Sequence, residues 1–321
     1  MVRVGVLHQV PGLCLAFILL AGMSRKPAAA QQSPKSQAMA APRQIILPLT
    51  VVAGAQATLA VLDSQGRLLA NIVVELSDGQ RVTTDVTGRA LFKGPEQPGT
   101  MVAQVSSKAV SASAIVAASE DPGPQSPTEA APIGVRVGSY PHIVALHDRF
   151  ILQGSGFRGA ADSNHVSLNG EPCLVVASSP DSLVLLPGPR VPVGDVSLQV
   201  TVAGTDAGQF HVSAVLLEFS GPTEAVNAGS TGKLIVRAHG TTEPLILEVR
   251  NGSPGVIQLS KGNVQRLKTS GGEQNIVPIE VKFVTGGNYS VSARLISPDK
   301  SQPRSGISQK RSAGGVENRV Q

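Results

Sequence analysis

Side chains able to do acid–base or nucleophilic chemistry are few and scattered along this chain. Of six histidines, five follow residue 30, and none of them forms an H-E-x-x-H or H-x-H pattern. No G-x-S-x-G segment presents a serine. The pair His147-Asp148 could be half of a catalytic triad, but neighbouring residues of a strand face opposite sides, so we interpret it as a surface loop pair. The sequence therefore predicts no catalytic residue and no enzyme.

The sequence also offers few residues that could form a metal or cofactor site. Cys173 begins the apolar stretch Cys173–Val176 with no base or cation beside it to lower its pKa, so we expect a small buried hydrophobic side chain. Asp162, Ser163 and Asn164, with Asp148, offer oxygen ligands of the kind that Ca²⁺ uses. Asx turns use the same residue types without a metal, and we favour that interpretation. We predict no metal and no cofactor.

The N-terminal residues 1–30 have the order of a secretory signal peptide. Arg3 precedes an apolar run over residues 13–23, and small residues at Ala28–Ala30 end the segment. The alternative is a retained membrane anchor, but the run is about half of the ~20 residues that span a bilayer. We expect cleavage after Ala30, no transmembrane span in the mature chain, and a secreted, periplasmic or cell-surface protein.

The formal charge of +5 and the pI near 9.4 come from the ends of the chain. Residues 45–296 hold 17 basic and 20 acidic residues, whereas the segments on either side are basic. A nucleic-acid-binding protein concentrates Lys and Arg on a folded face to neutralise phosphates, and single-strand binders add exposed aromatics. The charge distribution therefore predicts no nucleic-acid partner.

Turn residues and apolar strands divide the chain into modules of an all-β protein. Gly and Pro number 34 and 23, and turn signals recur at short intervals, as in antiparallel sandwiches. The boundaries that we predict are a signal peptide (1–30), a flexible leader (31–44), a β-sandwich (45–117), a Pro-rich linker (118–132), two further sandwiches (133–214 and 215–296) and a disordered basic tail (297–321).

Two modules resemble known families. The first, with Asp63-Ser64-Gln65-Gly66 and Thr83-Thr84-Asp85 before Gly88, resembles the regulatory-like or bacterial Ig-like modules of secreted bacterial proteins. The second resembles the IPT/TIG domain, in which an apolar strand runs into G-x-G-F. The residues that carry this motif, with a structural role, are Phe150, Leu152, Gly154, Gly156 and Phe157. The third module has the strand pattern of a β-sandwich and carries no motif that identifies a family.

The segment Gly271-Gly272-Glu273-Gln274-Asn275 is similar to the thioester segment of the macroglobulin family. That chemistry requires a Cys two positions before the Glu, and Gly271 stands there. Since no acyl bond can form without the thiol, we predict a Gly-rich hairpin turn.

The resemblances imply a non-catalytic exported protein of a bacterial cell envelope, whose Ig-like modules act as a structural spacer or protein-interaction surface. The expected partner is an unidentified envelope or extracellular protein. Alternatives are a glycan-binding surface, which usually stacks sugars on Trp or Tyr, and an accessory module of an envelope enzyme. The chain has no Trp and two Tyr, so we rank glycan binding lower. The Pro-rich linker further predicts that the first module folds independently of the second.

Overall fold

The computed structural model describes residues 41–105, 110–119, 134–222, 226–296 and 318–320. These ranges are almost entirely β-structure, with one short 3₁₀ helix at Ala161–Ser163, and the predicted all-β class is confirmed. Within them no helix is long and apolar enough to cross a membrane. The signal peptide, the leader up to residue 40, most of the Pro-rich linker and residues 297–317 of the tail lie outside the described residues, so those assignments stay predictions.

The first module is a two-layer sandwich. A five-stranded sheet in the order β2-β8-β7-β4-β5 packs on β3, which pairs with β1 and β6, around a core that includes Leu59, Phe92 and Met101. The strands are β1 Gln44–Ile46, β2 Thr50–Val52, β3 Gln56–Leu62, β4 Val73–Leu76, β5 Arg81–Thr83, β6 Arg89–Lys93, β7 Gly99–Val105 and β8 Ser111–Ala117.

Two turns of this module have the same hydrogen-bond pattern. The carboxylate of Asp63 accepts hydrogen bonds from the backbone N–H groups of Gln65 and Arg67, and Gly66 follows with φ +82°. Asp85 accepts from Thr87 and Arg89 in the same way before Gly88. Asx turns of this kind need a short acid and a residue that tolerates positive φ, which explains the D-x-x-G spacing in the sequence.

The second module has the sheets β14-β15-β11-β9 and β13-β12-β16-β17, with β10 added to β17, around a core that includes Leu168, Leu185 and Leu198. Its strands are β9 Arg136–Ser139, β10 Ile143–Ala145, β11 Phe150–Ser155, β12 Asn164–Leu168, β13 Glu171–Pro172, β14 Leu174–Ser178, β15 Ser182–Leu186, β16 Gly194–Val202 and β17 Thr205–Ser220.

In the third module, the end of β17 with β18, β22 and β20 faces the three-stranded sheet β21-β19-β24 across a core that includes Leu247, Ile279 and Phe283. The last described residues form β25, which pairs with β23, so these three residues of the tail are a strand. The strands are β18 Thr231–His239, β19 Ile246–Asn251, β20 Ile257–Leu259, β21 Val264–Lys268, β22 Ile276–Phe283, β23 Gly287–Tyr289, β24 Val291–Leu295 and β25 Asn318–Val320.

One strand, β17, belongs to both the second and the third module. Its first part, up to Ala214, pairs with β16, and Leu216–Ser220 pairs with β18. Side chains of successive strand residues face opposite sides, and Ala214 lies in the second core whereas Val215 lies in the third. The two modules are therefore joined by continuous hydrogen-bonded backbone.

Sheet pairing also joins the first module to the second, through β3 and β14. Both strands are buried on both faces, because one face of each contributes to its own module's core and the other to a small shared cluster. That cluster comprises Ile46, Ala60, Leu62, Val176, Ala177 and Val184. The two modules share apolar packing, so the expectation of an independent first module, drawn from the linker's composition, does not fit this structure.

Candidate functional site

The five motif residues lie in and around the core of the second module. Phe150 and Leu152 point inward from β11, opposite Leu185 and Leu183 on β15. The ring of Phe157 packs against the same core, with 3% of the residue exposed, and its N–H donates to the carbonyl of Pro180. These three side chains stabilise the module and are not available to a ligand.

The two glycines of the motif are required by the backbone. A Cβ at Gly154 would lie 2.0 Å from the carbonyl oxygen of Arg136 on the neighbouring strand β9, and Gly156 has φ +78°. Any larger residue at Gly154 would separate β9 from β11, and an L-residue at Gly156 would be strained. The G-x-G spacing therefore turns the chain so that Phe157 returns over the core.

The candidate chemical groups of this module are held by structural hydrogen bonds. His147 and Asp148 lie in the turn between β10 and β11, where the carboxylate of Asp148 accepts from the N–H of Arg149. Asn164 is buried and bonds the backbone at Arg158 and Ala160, while Asp162 pairs with Arg89. Within the described ranges, no group of three or more His, Cys, Asp and Glu side chains could hold a metal.

Cys173 is a buried free thiol. Burial raises the pKa of the Cys173 thiol to about 12, and the nearby carboxylate of Glu171 acts in the same direction. A cysteine nucleophile needs thiolate near neutral pH, so this side chain cannot serve as one.

The thioester-like segment forms a turn organised by Asn275. Gly271 and Gly272 both have positive φ, and Asn275 is fully buried. Its amide nitrogen donates to the carbonyls of Thr241 and Glu243, and its amide oxygen accepts from the hydroxyl of Thr269. The segment therefore ties two loops of the third module together.

The junction between the first and second modules is built from small polar side chains. The hydroxyl of Thr58 donates to the carbonyl of Gly159 over 2.6 Å, and the hydroxyl of Ser178 donates to the same carbonyl over 2.7 Å. Ser179 donates to the carbonyl of Thr50 over 2.6 Å, and Ser182 accepts from the N–H of Leu49 over 3.0 Å. Because the four hydroxyl groups are buried, each bond satisfies a group that would otherwise lose its water.

Gly159 allows the backbones to approach at this junction. A Cβ on Gly159 would lie 2.0 Å from the carbonyl oxygen of Gln56 in the first module. Sequence reasoning did not identify the junction residues. Two features of the sequence indicate the junction. The unbroken apolar runs at 59–62 and 173–177 predict strands that are buried on both faces, and serines follow the second run.

The second and third modules meet along β10. Ile143 faces the third core and Val144 faces the second, and the strand runs parallel to Ser213–Val215 of β17. Gly240, which directly follows β18, has φ +97°, and a Cβ on this residue would lie 2.3 Å from the carbonyl oxygen of Ala214. The junction has no room for a larger residue at Gly240.

A crevice of about 1370 Å³ opens where the three modules meet. Arg43 and Asp63 reach it from the first module, His147 from the second, and Arg250 and Asn251 from the third. Burial alone would raise the pKa of Asp63, but hydrogen bonds from Arg67 and Gln65 outweigh it and hold that pKa below its ordinary value. Asp63 is therefore an ionised turn residue whose carboxylate oxygens accept hydrogen bonds from Gln65 and Arg67.

The order of strands, the G-x-G turn and the buried Phe157 agree with a comparison of the sequence with family models, which matches residues 145–219 to the IPT/TIG domain. Residues 145–219 form an IPT/TIG domain. The match includes β17 up to Phe219, so it covers the part of the strand that pairs with β16 and nearly all of the part that pairs with β18 in the third module. A search of curated proteins found no match.

Among solved structures, similar chains include the adhesin FdeC of Escherichia coli, with 12% identity over 87% of this chain and 96% of that one, at a TM-score of 0.23. Another is SGBP-B of the Bacteroides ovatus mixed-linkage glucan utilization locus, with 16% identity over 78% and 60% of the two chains, at a TM-score of 0.20.

Proposed function

We propose that this protein is a non-catalytic exported protein of the bacterial cell envelope, whose modules act together as a spacer and protein-interaction scaffold. The observation that carries the proposal is the continuity of the three modules. Strand β17 runs through the second and third modules, and β3–β14 pairing with a shared apolar cluster joins the first module to the second. A scaffold of this kind holds surfaces at fixed distances. Individual domains joined by flexible linkers do not hold them so.

The chemistry of the described residues supports the non-catalytic half of the proposal. Asp63, Asp162 and Asn164 are engaged in hydrogen bonds or ion pairs that hold turns and junctions. The Cys173 thiol is buried and protonated. An active site requires a nucleophile, acid or metal converging on a substrate position, and among the described residues no group of three or more His, Cys, Asp and Glu side chains could hold a metal.

Export rests on the sequence of residues 1–30 and is tested first. N-terminal sequencing of protein recovered from the envelope fraction should begin at or near Gln31. Recovery of chains that still begin at Met1, in the cytosol, would contradict the localisation.

The scaffold function is tested by cross-linking in intact cells, followed by identification of the joined peptides. Cross-links between modules should match the fixed junctions, and cross-links to another envelope protein should map to exposed residues of the described modules. Cross-links that join this chain only to itself, together with a broad range of distances between modules, would contradict a scaffold.

The alternative of a glycan site built on aromatic stacking receives little support. Tyr289 is buried in the core of the third module, and the ring of Tyr140 packs against that of Phe210 with ring centroids 5.0 Å apart. One partly exposed ring already packed against another offers little surface for a sugar.

A further inference from the structure

The three-stranded sheet of the third module presents a strongly cationic outer face. Leu247 and Val249 of β19 point into the core, so Glu248 and Arg250 point outward. Residues directly opposite one another in a sheet share a face, and Glu248 is paired with Arg266 on β21 and with Arg294 on β24. We call the outward basic residues of this sheet the cationic face: Arg250, Arg266, Lys268 and Arg294.

The one acid among them is already neutralised. The Nε atoms of Arg250 and Arg294 lie 2.6 and 2.9 Å from the same carboxylate oxygen of Glu248, and Glu248 is only 6% exposed beneath them. Arg266 and Lys268 are exposed and have no ion pair among the described residues. Four cations and one acid leave three positive charges on this face.

The opposite face of the same sandwich is arranged differently. There Arg237 lies opposite Glu218 and Lys233 lies opposite Glu280, whereas Lys282 lies opposite Thr231. Two of the three cations are thus paired with an acid across strands, which leaves one positive charge. Cross-strand pairs of opposite charge stabilise a sheet, and on the cationic face one acid, Glu248, lies opposite both Arg266 and Arg294. The cationic face therefore carries a charge imbalance that the fold itself does not require and that an anionic ligand would remove.

We propose that the cationic face binds a linear polysaccharide that bears carboxylate groups. Its cations lie on three neighbouring strands, which are about 4.8 Å apart, so an extended polymer with repeating charge can meet them together. Guanidinium groups bind carboxylates in a planar, two-bond geometry. Arg250 and Val264 also line the crevice, in which Arg43 is exposed, so the polymer's path can continue there.

Other occupants fit the face less well. Single-stranded nucleic acid is held by aromatic stacking, and no aromatic side chain lies among the outward residues of β19, β21 and β24. Cores of protein interfaces are depleted in charge, whereas here the exposed apolar residues, Ile246 and Val264, lie among cations. The chain's own tail is itself basic, since residues 297–321 hold five bases and two acids.

The test measures binding of the mature chain, residues 31–321, to polygalacturonate at low and moderate salt. The double variant Arg266→Glu/Lys268→Glu reverses two charges at exposed positions. The matched control, Lys233→Glu/Lys282→Glu, reverses two exposed charges on the opposite face. Thermal melts establish that both variants are folded, and methyl-esterified polygalacturonate provides the same polymer without its charge.

We expect the Arg266→Glu/Lys268→Glu variant to bind at least tenfold more weakly, the control to stay within twofold of the wild type, and the methyl-esterified polymer not to bind. Raising the salt concentration should weaken binding, since the contacts are between exposed charges. Equal binding of the esterified polymer, equal loss in both variants, or tighter binding of single-stranded DNA than of polygalacturonate would overturn the assignment.

Discussion

The guanidinium of Arg89 in the first module lies 2.7 Å from the carboxylate of Asp162 in the IPT/TIG domain. The two partners are unequally placed, since 11% of the Arg89 side chain is exposed and 84% of the Asp162 side chain. Arg89 also donates to the carbonyl of Val175 over 3.2 Å. The arginine is thus a largely buried part of the junction, whereas the acid is a surface residue that it reaches.

This asymmetry predicts unequal effects of removing the two partners. Arg89→Ala should lower the free energy of unfolding by about 1–3 kcal/mol, because it removes packing and leaves the Val175 carbonyl without its donor. Asp162→Asn should cost less than about 1 kcal/mol, as expected of an exposed ion pair. Urea denaturation followed by circular dichroism measures both. Equal losses would mean that the ion pair, and not the buried part of Arg89, stabilises the junction.

The close approach at Gly159 gives a second prediction. Gly159→Ala places a methyl group against the Gln56 carbonyl and should destabilise the junction by about 1–3 kcal/mol, the usual cost of overpacking. Gly255→Ala is the control, because it has open space and no positive φ. Hydrogen exchange should rise at β3 and β14 in Gly159→Ala and stay unchanged in Gly255→Ala. An unchanged rate at both strands in Gly159→Ala would show that the junction can absorb a methyl group.

The contact between the first and second modules could not be predicted from the sequence pattern. Period-2 alternation and turn residues predict strands and modules, because they report which face of a strand meets its own core. They do not report whether the opposite face of the same strand is also buried. Thr58–Leu62 reads as an apolar strand in either case, and the partner that covers its second face lies more than 100 residues away in the sequence.

The distribution of charge was not visible in the sequence for a related reason. Residues 45–296 are acidic in sum, and that sum led to the prediction of no nucleic-acid partner. The sum hides the separation of charge between two faces of one sandwich, which depends on register. Arg266 and Lys268 stand two apart on β21, a spacing visible in the sequence, but Arg294 joins them only through pairing with β19.

Phe157 tests how far the modules fold together. Phe157→Ala removes a buried aromatic ring from the core of the IPT/TIG domain and should cost roughly 3–5 kcal/mol. Since Val176, Ala177 and Val184 of that domain cover β3, we expect protection against hydrogen exchange to fall in the first module as well. Val86→Ala, at a position 92% exposed, should change neither. Full protection of β3 in Phe157→Ala would show that the first module folds on its own.

The last prediction concerns the pH dependence that Glu248 gives to the third module. Burial alone would raise the pKa of Glu248, but hydrogen bonds and charge from Arg250 and Arg294 outweigh it and hold that pKa below its ordinary value. A carboxyl group whose pKa is lower in the folded than in the unfolded state binds fewer protons when folded. It therefore stabilises the fold above the unfolded pKa, near 4.3, and this contribution is lost as pH falls through the folded pKa.

Glu248→Gln should accordingly lower the free energy of unfolding at pH 7, by about 1–3 kcal/mol, because hydrogen bonds to a charged group are lost and two arginines are left without their acid. The difference between wild type and variant should shrink as pH is lowered from 5 to 3. Glu280→Gln, an exposed acid on the opposite face, is the control and should show little pH-dependent difference. Urea denaturation at each pH provides the measurement. A Glu248→Gln deficit that stays constant across this range would mean that packing of the side chain, and not its ionised carboxylate, stabilises the sheet beneath the cationic face.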